Sequence, residues 1–199
     1  MKTDDKPKTQ RQLAAEDRRK HIIRTAAICF IEDGFHQTSM RDIATAAGTS
    51  LGNLYNHFAG KTDLIAEIAG LEADELSAIR AILSQETVNR DTLTTFISAY
   101  FAYVSRPENA VLTAEITAEA MRSPQIVAGF AENSAKTKAG LVRLLDALPG
   151  PFEEPSEKLA NLILTTVEAS ATRAAFLPPA EKKAQLETLL SVFGRVIPA

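Results

Sequence analysis

The chain of 199 residues has a single cysteine and three histidines, and it has no apolar run near the ~18 residues that a membrane span requires. One thiol excludes a disulfide framework and the paired CxxC spacing of a metal site. That thiol, Cys29, lies in the apolar stretch TAAICFI and reads as a buried helical residue rather than a reactive one. The opening MKTDDKPKTQRQ follows its lysines with no apolar segment, so it does not read as a secretory leader. The expectation is a cytoplasmic protein with no membrane partner. Sustained alternation of apolar and polar residues with hairpin signals is also missing, which argues against strands. No Ser/His/Asp arrangement, metal-ligand cluster or phosphate loop is present, so the sequence predicts no enzyme, no cofactor and no metal.

Helical patterns fill the chain instead, and they predict an all-α protein of about nine helices. Residues 1–12 read as a polar, flexible arm. From about Ala14, Ile22, Ile23, Ala26, Ala27, Phe30 and Ile31 recur at helical spacing until EDGF, where Gly34 caps the helix and Phe35 folds back on it. Two short helices follow, at 39–47 and 51–57, separated only by Gly48, Thr49 and Ser50. A longer one runs from Lys61 or Thr62 to about Leu83. Further helices are predicted at 91–105, up to Pro124, from there to the loop PGPFEEP, at 156–176 and at 179–197. The division implied is an arm (1–12), a small helical domain (13–60) and a larger helical domain (61–199).

Charge is unevenly shared. Residues 1–65 hold ten Lys/Arg against eight Asp/Glu and so carry +2, whereas the remainder hold twelve against seventeen and carry −5. Such a separation hints at a polyanion-binding end. The two short helices strengthen it. Helices joined by so tight a turn cross steeply, and Ala44 and Gly48 supply small residues there. In the second of them, TSLGNLYNHF, only Leu54 is a clear core position. A helix that buries so little needs another use, since short helices are stabilised mainly by packing.

This is the pattern of a helix-turn-helix, whose second helix enters the major groove; a plain helical hairpin is the alternative. Gly52 allows close approach and Asn53 can bond a base edge, while Tyr55, Asn56 and His57 suit phosphate oxygens. Thr49, Ser50 and Leu51 open the same helix, and Arg41 lies on the preceding one. Lys61, with the free N–H groups of the helix it opens, reads as an anion site, and Thr38 and Ser39 as a second one.

Residues 26–65, AAICFIEDGFHQTSMRDIATAAGTSLGNLYNHFAGKTDLI, resemble the N-terminal domain of TetR-family transcriptional regulators. The match runs through Phe30, Gly34, Phe35, Thr38, Ile43, Ala44, Ala47, Gly48, Ser50, Gly52, Leu54, Tyr55, Phe58, Lys61 and Leu64. It departs at Thr49, where members commonly have an apolar β-branched residue, and at Asn53, where a small residue is common.

The resemblance implies a homodimer on a palindromic double-stranded DNA operator, most simply a repressor, with a helical C-terminal domain that pairs through its last two helices and often encloses a small-molecule effector. Candidate pairing residues are Ala160, Ile163, Val167, Ser170, Ala171 and Ala174, then Leu186, Leu189, Leu190, Phe193 and Ile197. Candidate effector contacts are Phe96, Tyr100, Tyr103, Phe130 and Glu168, with Glu115 and Glu119 as a place for a cation. A regulator controlled by a protein partner, or by its abundance alone, is the other reading.

Overall fold

The computed structural model describes residues 9–85, 89–149 and 153–196, and among them every regular element is a helix. These are α1 (Gln10–Asp33), α2 (Met40–Ala46), α3 (Leu51–His57), α4 (Lys61–Ile82), α5 (Arg90–Val104), α6 (Pro107–Ala120), α7 (Pro124–Ala147), α8 (Ser156–Ala174) and α9 (Pro179–Val196). Two compact units divide them, Met1–Ile68 and Ala69–Ala199, and the boundary falls within α4.

The helix starts show how sequence sets the elements. Helix α1 opens earlier than its apolar periodicity indicates, because Thr9 and Gln12 form a capping box: the Gln12 amide donates to the Thr9 hydroxyl at 3.3 Å and the Thr9 amide to Gln12 Oε1 at 2.8 Å. Residues 10–12 are therefore helix rather than arm. The rest of the expected arm lies outside the described residues, as do the middle of the PGPFEEP loop and Ile197. Pro107 and Pro124 do not merely stop the preceding helices. Each stands in the first turn of the next one, where the missing N–H has no partner to lose.

In the first unit Ile22, Ala26, Phe30, Ile43, Leu54, Leu64 and Ile65 are all but fully buried. Among the described residues Gly34 and Gly48 are the glycines with positive φ, at 82° and 62°. A Cβ on Gly48 would meet nothing within 4 Å, so the position requires glycine for its left-handed backbone and not for a close helix crossing. Gly34 turns the chain so that the rings of Phe30 and Phe35 meet at 5.3 Å.

In the second unit the core gathers Phe96, Ile97 and Phe101 of α5, Leu141, Leu144 and Leu145 of α7, and the inward face of α8. That inward face is where the expected pairing stripe lies. Ala160, Ile163, Val167, Ala171 and Ala174 are at most 1% exposed, and Leu189 and Phe193 of α9 are buried beside them. These residues are spent on the chain's own core and present no surface to a second copy, a correction to the expectation from helical spacing. Ser170, Leu186 and Leu190 are half-buried. The apolar groups that α8 and α9 leave exposed are others: Leu162, Val192, and Phe176 just past the end of α8.

Candidate nucleic-acid interface

Helix α3 is short, and its geometry comes from its two ends and one anchor. Ser50 caps it, its hydroxyl accepting from the Asn53 amide at 3.1 Å. The turn before it is closed by the Thr49 amide, which donates to the Ala44 carbonyl at 2.9 Å. Leu54 is fully buried and is the one buried residue of the helix. Gly52, Tyr55, Asn56 and His57 are all exposed, Tyr55 by 51%. Leu51, Asn53 and Thr49 are half-buried. A Cβ on Gly52 would meet nothing within 4 Å, so the helix offers an open polar face.

Two cations hold α3 and its neighbours in place. Arg19 of α1 lies 4.5 Å from the centroid of the Phe58 ring. Its guanidinium also donates to the His57 carbonyl at 3.4 Å and pairs with Glu67 at 2.7 Å. A guanidinium is well suited to such combined duty, being planar with five donors. Lys61 is the second. Its ammonium donates to the Phe35 carbonyl at 2.5 Å and to the Thr38 carbonyl at 2.8 Å, and sits 4.5 Å from the Phe35 ring centroid. The ammonium expected to meet a phosphate is thus bonded to the turn between α1 and α2.

Thr38 and Ser39 are likewise bonded within the fold. Thr38 is 2% exposed, and its hydroxyl donates toward the carbonyls of Gly34 at 2.8 Å and Cys29 at 3.1 Å. Ser39 caps α2 in a box with Asp42. Its hydroxyl donates to Asp42 Oδ2 at 2.6 Å, and its backbone amide donates to the same oxygen at 2.9 Å. Those bonds hold the Asp42 carboxyl below its ordinary value, so the start of α2 already carries its own anion. Arg41 is exposed, as are Arg11, Arg18 and Arg24 on α1. Sequence reasoning missed Arg19 altogether, because nothing local marks a residue that meets Phe58 across the fold.

The profile describing bacterial regulatory proteins of the tetR family matches residues 22–68, which is α1 from its first buried residue through the start of α4. The chain carries a tetR-type N-terminal domain. Its N-terminal unit is a helix-turn-helix DNA-binding domain, and the family consists of transcription regulators rather than enzymes. The chain is 32% identical over 94 residues to the transcriptional activator FasR of Mycolicibacterium smegmatis, a match covering 47% of this chain and 43% of FasR. It is 34% identical over 95 residues to the transcriptional repressor KstR2 of Rhodococcus jostii, covering 47% of each. The matches thus span about half the length of these curated relatives. The structure of GusR from Salmonella enterica is similar with a TM-score of 0.72 and 25% identity, over 91% of this chain and 95% of that one.

Beyond the tetR-type domain, the second unit brings some of the expected effector contacts together. The Tyr100 hydroxyl donates to Glu168 Oε1 at 2.6 Å, and the Tyr100 ring stacks on Phe96 at 5.6 Å. Burial first, and then the charge of Glu168, push the Tyr100 phenol well above its ordinary value. Tyr103 is half-buried, with the Arg106 guanidinium 5.6 Å from its ring centroid. Phe130 is half-buried on α7. Glu119 is buried and paired with Arg122 at 2.8 Å, so its charge is already matched and the cation expected beside the half-buried Glu115 has less to attract it.

Three polar groups of this unit had no signal in the sequence. Asn133 of α7 donates to the Ala69 carbonyl at 2.7 Å and to Glu72 Oε2 at 3.1 Å. Arg80 donates through Nη2 to the Ala73 carbonyl at 2.7 Å, and its Nη1 is buried without a hydrogen-bond partner among the described residues.

Proposed function

We propose that the protein acts as a homodimer on a palindromic operator, represses from it, and is released by a small-molecule effector held in the second unit. The observation that carries the DNA half is α3: a capped helix with a single buried anchor and an outward face of Gly52, Asn53, Tyr55, Asn56 and His57. One such helix reads few base pairs, and two-fold pairing doubles the site. The exposed Leu162, Phe176 and Val192 of the last two helices support pairing there. Repression follows the likeness to KstR2, and activation, as in FasR, is the outcome that a reporter assay separates from it.

The effector half rests on polar groups set in an apolar interior. Tyr100, Glu72, Asn133 and the unpaired Nη1 of Arg80 give a ligand both donors and acceptors. Helix α4 supplies Leu64 and Ile65 to the first core and Leu76 to the second, with Leu83 just past its end. An effector with different affinity for two positions of that helix shifts the DNA-competent population, with coupling of about 1–3 kcal/mol.

Footprinting over the DNA flanking the protein's own gene tests the reading. A two-fold symmetric protected site bound by two chains is expected, and protection without symmetry would refute the dimeric operator. A thermal-shift screen of small metabolites should return compounds that both stabilise the protein and weaken that footprint.

A further inference from the structure

Thr49 and Asn53, the two positions at which the helix-turn-helix departs from the commoner residues of its family, are bonded to each other. Asn53 Nδ2 donates to Thr49 Oγ1 at 2.8 Å. Both side chains are half-buried, and both backbones are fixed. The Thr49 amide is bonded to the Ala44 carbonyl at 2.9 Å, and the Asn53 amide to the Ser50 hydroxyl at 3.1 Å. The carboxamide at the opening of α3 is thus held by one bond, between two residues whose backbone amides are themselves fixed, before any DNA arrives.

The bond decides what the carboxamide has left to offer. An asparagine side chain has one carbonyl oxygen and two N–H donors. With one N–H committed to Thr49, one acceptor and one donor remain on the planar group. In the major groove adenine presents an acceptor, N7, beside a donor, the N6 amino group; guanine presents two acceptors, N7 and O6. The remaining edge of Asn53 matches adenine atom for atom and cannot satisfy both acceptors of guanine.

We infer that Asn53, oriented by the Thr49 hydroxyl, reads an adenine in each half of the operator, with Thr49 as a positioning residue. The inference rests on the DNA-binding reading above and assigns the base that one side chain specifies. Apolar β-branched residues at position 49 would keep the shape of the turn but leave the carboxamide free to rotate.

Selection of bound duplexes from random DNA tests it, using the full-length protein and its Asn53→Ala, Thr49→Val and Thr49→Ser variants. The wild type should enrich a symmetric motif with one adenine per half-site that Asn53→Ala no longer requires. Replacing that adenine by 7-deazaadenine, which lacks N7, or by purine, which lacks the amino group, should weaken wild-type binding by about fivefold or more, the range of one bidentate contact. Neither replacement should affect the Asn53→Ala protein. Thr49→Val should relax the preference at that position alone with an unchanged melting temperature, and Thr49→Ser should restore it. A motif shared unaltered by the wild type and Asn53→Ala would overturn the inference while leaving DNA recognition intact. Failure of the wild type to enrich any motif would overturn the DNA-binding reading itself. Loss of the adenine preference in Asn53→Ala but not in Thr49→Val would remove Thr49 from the assignment.

Discussion

A lysine next to a DNA-binding helix invites a phosphate, and at Lys61 the competing claim is a set of backbone carbonyls. Its ammonium reaches those of Phe35 and Thr38 and lies against the Phe35 ring. Charged hydrogen bonds of this kind contribute about 1.5–3 kcal/mol, and removing the donor leaves the carbonyls short of a partner. Lys61→Ala should therefore lower the melting temperature of the free protein, which a thermal scan without DNA reads directly. Tyr55→Ala is the contrasting variant. Tyr55 is half exposed, so the melting temperature should hold while affinity falls about equally for all duplexes in a gel-shift series. A phosphate role for Lys61 would show the reverse: an unchanged melt and a shallower dependence of binding on salt. Glu72 is the other residue whose surroundings set its chemistry. Burial raises its carboxyl above the ordinary 4.5, the charges of Glu168 and Glu75 add to this, and the bond from Asn133 and the charge of Arg80 oppose it. A carboxyl that holds its proton more tightly when folded contributes stability that is full below pH 4.5 and lost as pH rises through its folded value. Glu72→Gln keeps an acceptor for Asn133 and removes the charge. Its melting temperature should exceed that of the wild type by a few degrees near pH 8, with the gap closing toward pH 4.

Helix α3 owes its place to one side chain. Leu54 is fully buried, and cutting a buried leucine to alanine costs about 2–5 kcal/mol. Leu54→Ala should abolish DNA binding and melt the N-terminal unit early, seen as a new low-temperature transition in calorimetry. This anchor was legible from sequence, because Leu54 is the lone apolar residue in GNLYNH and the flanking Ser50 and Gly48 mark the helix limits. Local rules of capping and periodicity reach that far. They do not reach contacts made across the chain: Arg19 on Phe58, Lys61 on the Phe35 and Thr38 carbonyls, and Asn133 on Glu72 join residues between 23 and 61 positions apart. Periodicity also finds which face of α8 is apolar without telling what covers it. Ile163, Val167 and Ala171 carry the strongest stripe because they fill their own unit, and a surface kept for a second chain need show only scattered apolar residues, since the polypeptide must also remain soluble before it pairs.

For the whole molecule the question is what two copies would bury. From α8 to α9 the large apolar side chains left in water are Phe176 at 70%, Leu162 at 56% and Val192 at 51% exposure, borne on α8, the turn just after it and α9. Isolated exposed apolar residues need no explanation, but three of them lie in the part of the chain expected to pair, and in a two-fold contact each would be used twice. A carboxylate at such a position is tolerated in the single chain, where it meets water, and is costly in a dimer, where it is desolvated opposite its own copy. Phe176→Glu, or Leu162→Glu, should give a protein of wild-type helicity and an unchanged unfolding temperature when dilute, but of half the mass by light scattering. Its operator affinity should fall at least tenfold, because the two reading helices are no longer linked. Ile163→Ala should behave in the opposite way: it should lose about 2–4 kcal/mol of stability, as a cavity in a packed core does, while the folded fraction still pairs. If Phe176→Glu and Leu162→Glu both keep the wild-type mass, the two-fold contact lies elsewhere.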